Sequence, residues 1–312
     1  MTMSRNQGKR IQFYLMPLAS WLQTLLPRRL ALGIARFLIG LAFPFLKRQR
    51  RVIAHNFRYI LGRELQPGEG DAIARRVLRN QAICTTDLLR APQLCRRRKL
   101  DRVVPFPDYR PELDKALAGG KPAILVTCHL GNWDLAGVLI AYDNYPIVAV
   151  FERITRGMSD VFNRFRGTSG MELIGMDDRK AMNRAIESGR LFGLVGDRDL
   201  KGSGVELPWF SGRRTFPRGA AAFSLRYKVP VVIGYMILEP GDPQCRYRVV
   251  VEPPVEFLPS GDFPADVDAL TAAVVRRLER VVAKYPEQWF VYQPRWVGGD
   301  EESATTKSPD SN

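Results

Sequence analysis

His129 and Asp134 stand five positions apart in the run Thr127-Cys128-His129-Leu130-Gly131-Asn132-Trp133-Asp134. An imidazole with a carboxylate within reach is what a general base requires. The chain has two histidines, His55 and His129. His129 closes the apolar run 122–128, and a Gly-Asn pair and then a helical pattern follow it. That places the imidazole at the carboxyl end of a buried strand, where α/β proteins gather their ligands. Five helical steps turn a side chain about 140° away, so Asp134 shares no helical face with His129. It reaches back only if Gly131 and Asn132 form a turn and Asp134 lies in the first turn of the next helix. There it would hold Nδ1–H and leave Nε2 as a base near neutral pH. For a bare His-x4-Asp spacing, an ordinary histidine in a strand-to-helix turn is the simpler reading. The surrounding blocks favour chemistry.

A second polar block follows another apolar run, 190–196. It reads Gly196-Asp197-Arg198-Asp199, then Lys201-Gly202-Ser203-Gly204-Val205-Glu206 and on to Trp209-Phe210. A solvated surface loop is the plain alternative. If the two strands run parallel, however, this loop opens on the same rim as His129. Phe151-Glu152-Arg153 follows a third strand, 146–151, and opens there too, with Arg164 and Arg166 on the helix after it. Cys128 suggests a thiol acyl-enzyme, but neighbours on a strand point to opposite faces, so Cys128 and His129 should diverge. No Gly-x-Ser-x-Gly pentapeptide of a serine hydrolase occurs.

The elements that must position these residues alternate. Helices are expected at 48–62, 69–90 and 111–118, then strand 122–128, helix 133–142, strand 146–151 and helix 155–167. Strand 171–174, helix 177–188 and strand 190–196 lead into a Gly-rich loop, 197–216. Helix 217–227, strands 229–238 and 246–257, helix 264–284 and an aromatic segment, 287–296, complete the pattern. Such alternation predicts an α/β sandwich with a mixed sheet flanked by helices. Residues 47–296 form the expected catalytic domain, and the polar stretch 297–312 is expected to be disordered.

With 312 residues the chain can bury a full core. Its net charge of +15 implies attraction to an anionic surface, either nucleic acid or phospholipid. The basic clusters at 47–51 and 96–99 contain no interleaved aromatics, which weighs against nucleic acid. Cys84, Cys95, Cys128 and Cys245 show neither disulfide nor zinc spacing, so a reducing cytosolic setting and no metal are expected. Two apolar stretches, 11–26 and 30–46, are interrupted by Pro17, Arg36 and Pro44 and bordered by Arg and Lys. Residues 1–46 therefore read as helices lying in a membrane interface, with two buried core helices or a single marginal span as alternatives.

The blocks together resemble a known family. His129-Leu130-Gly131-Asn132-Trp133-Asp134 is similar to the His-x4-Asp/Glu motif of the bacterial lipid A biosynthesis acyltransferases. Asp197-Arg198-Asp199 with Gly204-Val205-Glu206 and Trp209-Phe210 resembles the version in the related phosphatidylinositol mannoside acyltransferases. Tyr285-Pro286-Glu287-Gln288-Trp289, with Arg295-Trp296, is similar to the family ending. The resemblance spans roughly residues 50–296. It implies a glycerolipid-acyltransferase-like fold and transfer of a fatty acyl group from an acyl-coenzyme A or acyl-carrier-protein thioester to a hydroxyl of a glycolipid. No cofactor would be needed. By the same resemblance His129 is the base, Asp134 orients it, and Glu206 acts at the histidine. Glu152 and Arg166 match further polar positions, with Arg164 a competitor for the latter; Asp197 and Arg198 join the substrate-binding set. The implied place is the cytoplasmic face of the inner membrane, peripheral or single-pass. A non-enzymatic basic protein binding membrane or nucleic acid is the alternative.

Overall fold

In the computed structural model, which describes residues 25–151, 167–200 and 202–298, the expected alternation folds around a seven-stranded sheet. Its strands are β1 (Phe106–Asp108), β2 (Ala123–Thr127), β3 (Ile147–Phe151), β4 (Glu172–Gly175), β5 (Leu191–Val195), β8 (Val231–Leu238) and β9 (Tyr247–Val251). The spatial order is β1-β9-β8-β2-β5-β3-β4. Strands β8, β2, β5, β3 and β4 run parallel, and β9 turns antiparallel to β8, so the sheet is mixed. The longer helices are α1 (Arg28–Ala42), α2 (Lys47–Leu61), α3 (Glu69–Leu89), α4 (Trp133–Tyr142), α5 (Arg179–Glu187), α6 (Gly219–Tyr227) and α7 (Phe263–Lys284).

Strand β2 is apolar along its whole length because both faces are covered, as in parallel sheets generally. Ala123 and Leu125 enter a core formed with α3 and α4, through Ile83, Leu135 and Val138. Ile124, Val126 and Cys128 enter a second core with Val274, Val275 and Leu278 of α7. Helix α7 opens at Asp262, whose carboxylate accepts the Ala265 N–H, and its apolar residues recur every three or four positions. Helices α1 and α2 both pack on α3.

Arg28 at the start of α1 forks onto Asp87, with Nε to Oδ1 at 2.8 Å and Nη2 to Oδ2 at 2.6 Å. Asp87 is fully buried. It also accepts from the Tyr247 hydroxyl at 3.0 Å, and that hydroxyl accepts from Asn132 Nδ2 at 3.3 Å. The first helix is thereby tied, through buried polar groups, to the turn that follows His129. Satisfying every member matters here, since an unpaired buried carboxylate is costly.

That turn is fixed by close backbone approach. Gly131 has φ +58°, and a Cβ there would meet the Met236 carbonyl oxygen at 1.9 Å. The contact exists because Asn132 N donates to that same oxygen at 2.9 Å, while Gly131 N donates to Gln288 O at 2.8 Å. Asn132 then caps α4 by accepting the Leu135 N–H.

Two expectations are corrected. Residues 205–216, expected within a loop, form an antiparallel hairpin, β6 (Val205–Trp209) and β7 (Gly212–Phe216), joined by the two-residue turn Phe210-Ser211. Pro208 and the paired arginines 213 and 214 obscured its alternation, although Trp209, Arg214 and Phe216 are buried. The strand expected over 246–257 ends at Val251, where Pro253 and Pro254 remove two ladder donors. The helix expected at 155–167 lies almost wholly outside the described residues, as do residues 1–24 and nearly all of the 297–312 tail.

Candidate active site

The register between β2 and β5 builds the site. Thr127 pairs with Val195, and Gly196 N donates to Thr127 O at 2.8 Å, so the ladder continues past the end of β5. Two residues beyond the last pair stand His129 on one side and Asp197 on the other. Their side chains meet: His129 Nδ1 lies 2.6 Å from Asp197 Oδ1.

Asp197, and not Asp134, is therefore the carboxylate that holds Nδ1. Its side chain is completely buried. It collects three N–H groups: the His129 ring, the His129 backbone N–H at 3.0 Å, and Trp289 Nε1 at 2.8 Å. Burial alone would push this carboxyl up, but the His129 charge and the aimed donors outweigh it and hold Asp197 at about 2. An ionised carboxylate only accepts, so Nδ1 donates to Asp197, and in the neutral ring that leaves the lone pair on Nε2. Arg198 Nη1 faces that nitrogen at 3.4 Å, and Arg198 Nε donates to Gln293 Oε1 at 3.2 Å. The His129 ring also meets Trp133 edge to face, with centroids 5.0 Å apart.

Behind the pair lies Arg214, buried with its Cζ 5.2 Å from the Trp289 ring and 5.1 Å from the Trp296 ring. Burial lowers its guanidinium to about 10 against the raising pull of Asp197. It is a cation at neutral pH, and its field adds to the donors that keep Asp197 ionised. The segment carrying Trp289 is fastened in turn: Gln288 exchanges two side-chain hydrogen bonds with the Leu238 backbone, and Phe290 N donates to His129 O at 2.7 Å.

The remaining expected residues divide. Asp134 lies in the first turn of α4, as expected, and lines the same cavity as His129 and Arg198. Glu206 stands on the β6–β7 hairpin, ion-paired with Arg213 and substantially exposed, and does not line that cavity. The alternation of β6 carries it outward, since Val205, Leu207 and Trp209 are more enclosed. Glu152, Arg164 and Arg166 lie outside the described residues. Asp197, expected to bind substrate, is instead enclosed behind the imidazole. Cys128 points into the α7 core, where burial first, and then the Asp197 charge, push its thiol well above the usual range. That position leaves no thiolate nucleophile, and the thiol alternative fails. Sequence reasoning had not given Trp289 or Arg214 a role; the terminal aromatic block was the one available signal for Trp289.

The cavity beside Nε2 has a volume of about 1120 Å³. Its lining is apolar at Leu125, Ile140, Ile147, Ala149 and Met171, towards the middles of the strands, and polar at Asp134, Arg198 and Asp199, beyond their carboxyl ends. The arrangement can take a proton from a hydroxyl at the mouth while enclosing a hydrocarbon below. Among the described residues, no group of three or more His, Cys, Asp and Glu could hold a metal ion.

The family model described as bacterial lipid A biosynthesis acyltransferase matches residues 4–297. The chain is 28% identical over 212 residues to a phosphatidylinositol mannoside acyltransferase of Mycobacterium tuberculosis, covering 66% of this chain and 63% of the relative. It is 28% identical over 188 residues to that of Mycolicibacterium smegmatis, covering 58% of this chain and 59% of the relative. The aligned part thus spans less than two thirds of these relatives' length.

The Asp197 environment predicts an acid-dependent stability. Its folded value of about 2 lies below the unfolded value near 3.9, so the stabilisation is present above about pH 4 and lost as pH falls towards 2. Unfolding measured at a series of pH values should show this loss, and Asp197→Asn should remove it. An identical pH dependence in the variant would contradict the assignment.

Proposed function

The chain belongs to the bacterial lipid A biosynthesis acyltransferase family, and on that footing we propose that it transfers a fatty acyl group from a thioester to a hydroxyl of a membrane glycolipid, with His129 as base. The observation that carries the mechanism is Asp197 at 2.6 Å from Nδ1 with Nε2 turned to the cavity. Nε2 takes the acceptor hydroxyl proton as the oxygen attacks the thioester carbonyl carbon. The tetrahedral intermediate then collapses, the C–S bond breaks, and the imidazolium returns its proton to the departing sulfur. Asp197 holds the ring orientation and stabilises the imidazolium. Arg198, the cation beside Nε2, supports the carbonyl oxygen as it becomes anionic and attracts a phosphate-bearing donor, whether acyl-coenzyme A or acyl-carrier protein. Asp134 at the mouth positions the acceptor. The acceptor is of lipid A precursor or mannosylated phosphatidylinositol type, in keeping with the family and with the names of the two relatives.

The membrane surface is reached through α1. Leu30, Ile34, Phe37, Leu38 and Leu41 lie exposed along it and Phe45 just beyond it, while Ala31, Leu32 and Phe43 face the core. Arg29, Lys47, Arg48 and Arg51 border that face. Among the described residues no single helix is long and apolar enough to cross a membrane; α1 with its extension and α2 form a pair bent by 92°. An apolar stripe edged by cations suits a helix lying in the interface of the anionic cytoplasmic leaflet.

Two measurements test these readings. His129→Ala should lower acyl transfer about 10²–10⁴-fold, with Asp197→Asn also crippling because an amide cannot stabilise the imidazolium. His55 lies in α2 against Tyr59 and does not line the cavity, so His55→Ala should leave the rate nearly unchanged. Equal losses at both histidines in folded protein would overturn the base. Separately, replacing Phe37, Leu38 and Leu41 together by Ser should weaken binding to anionic phospholipid vesicles by about 10²-fold or more, given the apolar area removed. Undiminished binding would contradict the role of α1.

A further inference from the structure

We propose that Gly193 sets the length of the acyl chain this protein accepts, an inference that rests on the acyl-transfer reading above. Gly193 is the middle residue of β5, flanked in register by Leu125 of β2 and Ala149 of β3. A glycine inside a central strand weakens the sheet and calls for a reason. Backbone conformation gives none, since Gly193 is not among the glycines with positive φ. Packing gives none either. The nearest atoms a Cβ at this position would meet are Val148 O at 3.5 Å and Ala149 Cα and Cβ at 3.7 Å, which is ordinary contact. The contrast is Gly234 on β8, where a Cβ would strike Leu125 Cδ1 at 2.6 Å.

What the missing side chain leaves is cavity. Gly193 and its partners Leu125 and Ala149 line the deep apolar part, on the face of the sheet that also bears His129. Leu125 precedes His129 by four residues, so this floor lies about 13 Å below the imidazole at ~3.3 Å per residue. A chain whose carbonyl carbon sits at Nε2 must pass over Gly193 to go deeper. A side chain there would close the trough from below, with the strand itself undisturbed.

The test compares wild type, Gly193→Ala and Gly193→Val with saturated acyl-coenzyme A donors of increasing length, and the same proteins with the matching free fatty acids in a displacement assay. Gly193→Val should keep near wild-type kcat/KM for short donors. For longer ones it should lose about fourfold for each methylene left in water. Gly193→Ala should move the length profile the same way by less, and its ligand-free thermal stability should not fall. A folded Gly193→Val protein with the wild-type profile would overturn the proposal, and if that variant does not fold, an unmoved profile in Gly193→Ala would do so. A wild type that transfers no acyl chain would refute the acyl-transfer reading; the fatty-acid length profile would then decide Gly193 by itself.

Discussion

The buried carboxylate of Asp197 is the constraint on which the rest of the site depends. A carboxylate without solvent stays ionised only where donors converge on it, and here they come from separate parts of the chain. His129 supplies its ring and backbone N–H from beyond β2, and Trp289 supplies its indole N–H from the carboxyl-terminal segment. Those donors lock the imidazole tautomer and, through it, the direction of the one lone pair open to the cavity. The Gly131 turn, the Gln288 clamp on Leu238 and the Asn132–Tyr247–Asp87–Arg28 chain all hold that convergence in place.

The parallel sheet explains why polar and apolar functions adjoin. Strand ends deliver His129, Asp197 and Arg198 to one rim, while the middles of the same two strands deliver Leu125 and Gly193, and neighbouring β3 delivers Ala149, to the trough below. A substrate with a reactive head and a hydrocarbon tail matches that gradient. Charge screening does little at the enclosed pair, but the arginines near the mouth remain open to salt.

Much of this was legible in the sequence. The apolar runs of β2, β3 and β5, the position of His129 at a strand end, and the Gly131-Asn132 turn followed by α4 all follow from periodicity and turn chemistry. The partner of His129 did not. Asp134 is near in sequence, whereas Asp197 is 68 residues away and adjacent only because β5 pairs with β2 in a register that periodicity cannot fix. The clue was present in two apolar runs each followed by chemistry, Cys128-His129 and Gly196-Asp197; strand pairing made them neighbours. The hairpin 205–216 was hidden by Pro208 and by Arg214, a buried cation that hydrophobic patterning reads as surface. The family resemblance implied that Glu206 acts at the histidine; its strand turns it out to Arg213. Trp289 looked like one more core aromatic, since nothing local reveals that its N–H meets a carboxylate.

The imidazole tautomer tests the central claim most directly. With two histidines in the chain, ¹⁵N NMR can assign the ring nitrogens of His129 against a His129→Ala reference. The account predicts that the neutral ring carries its proton on Nδ1, hydrogen-bonded to Asp197, with Nε2 unprotonated, and that Asp197→Asn abolishes this preference. A neutral His129 protonated on Nε2 in the wild-type protein, or a tautomer indifferent to Asp197→Asn, would contradict it.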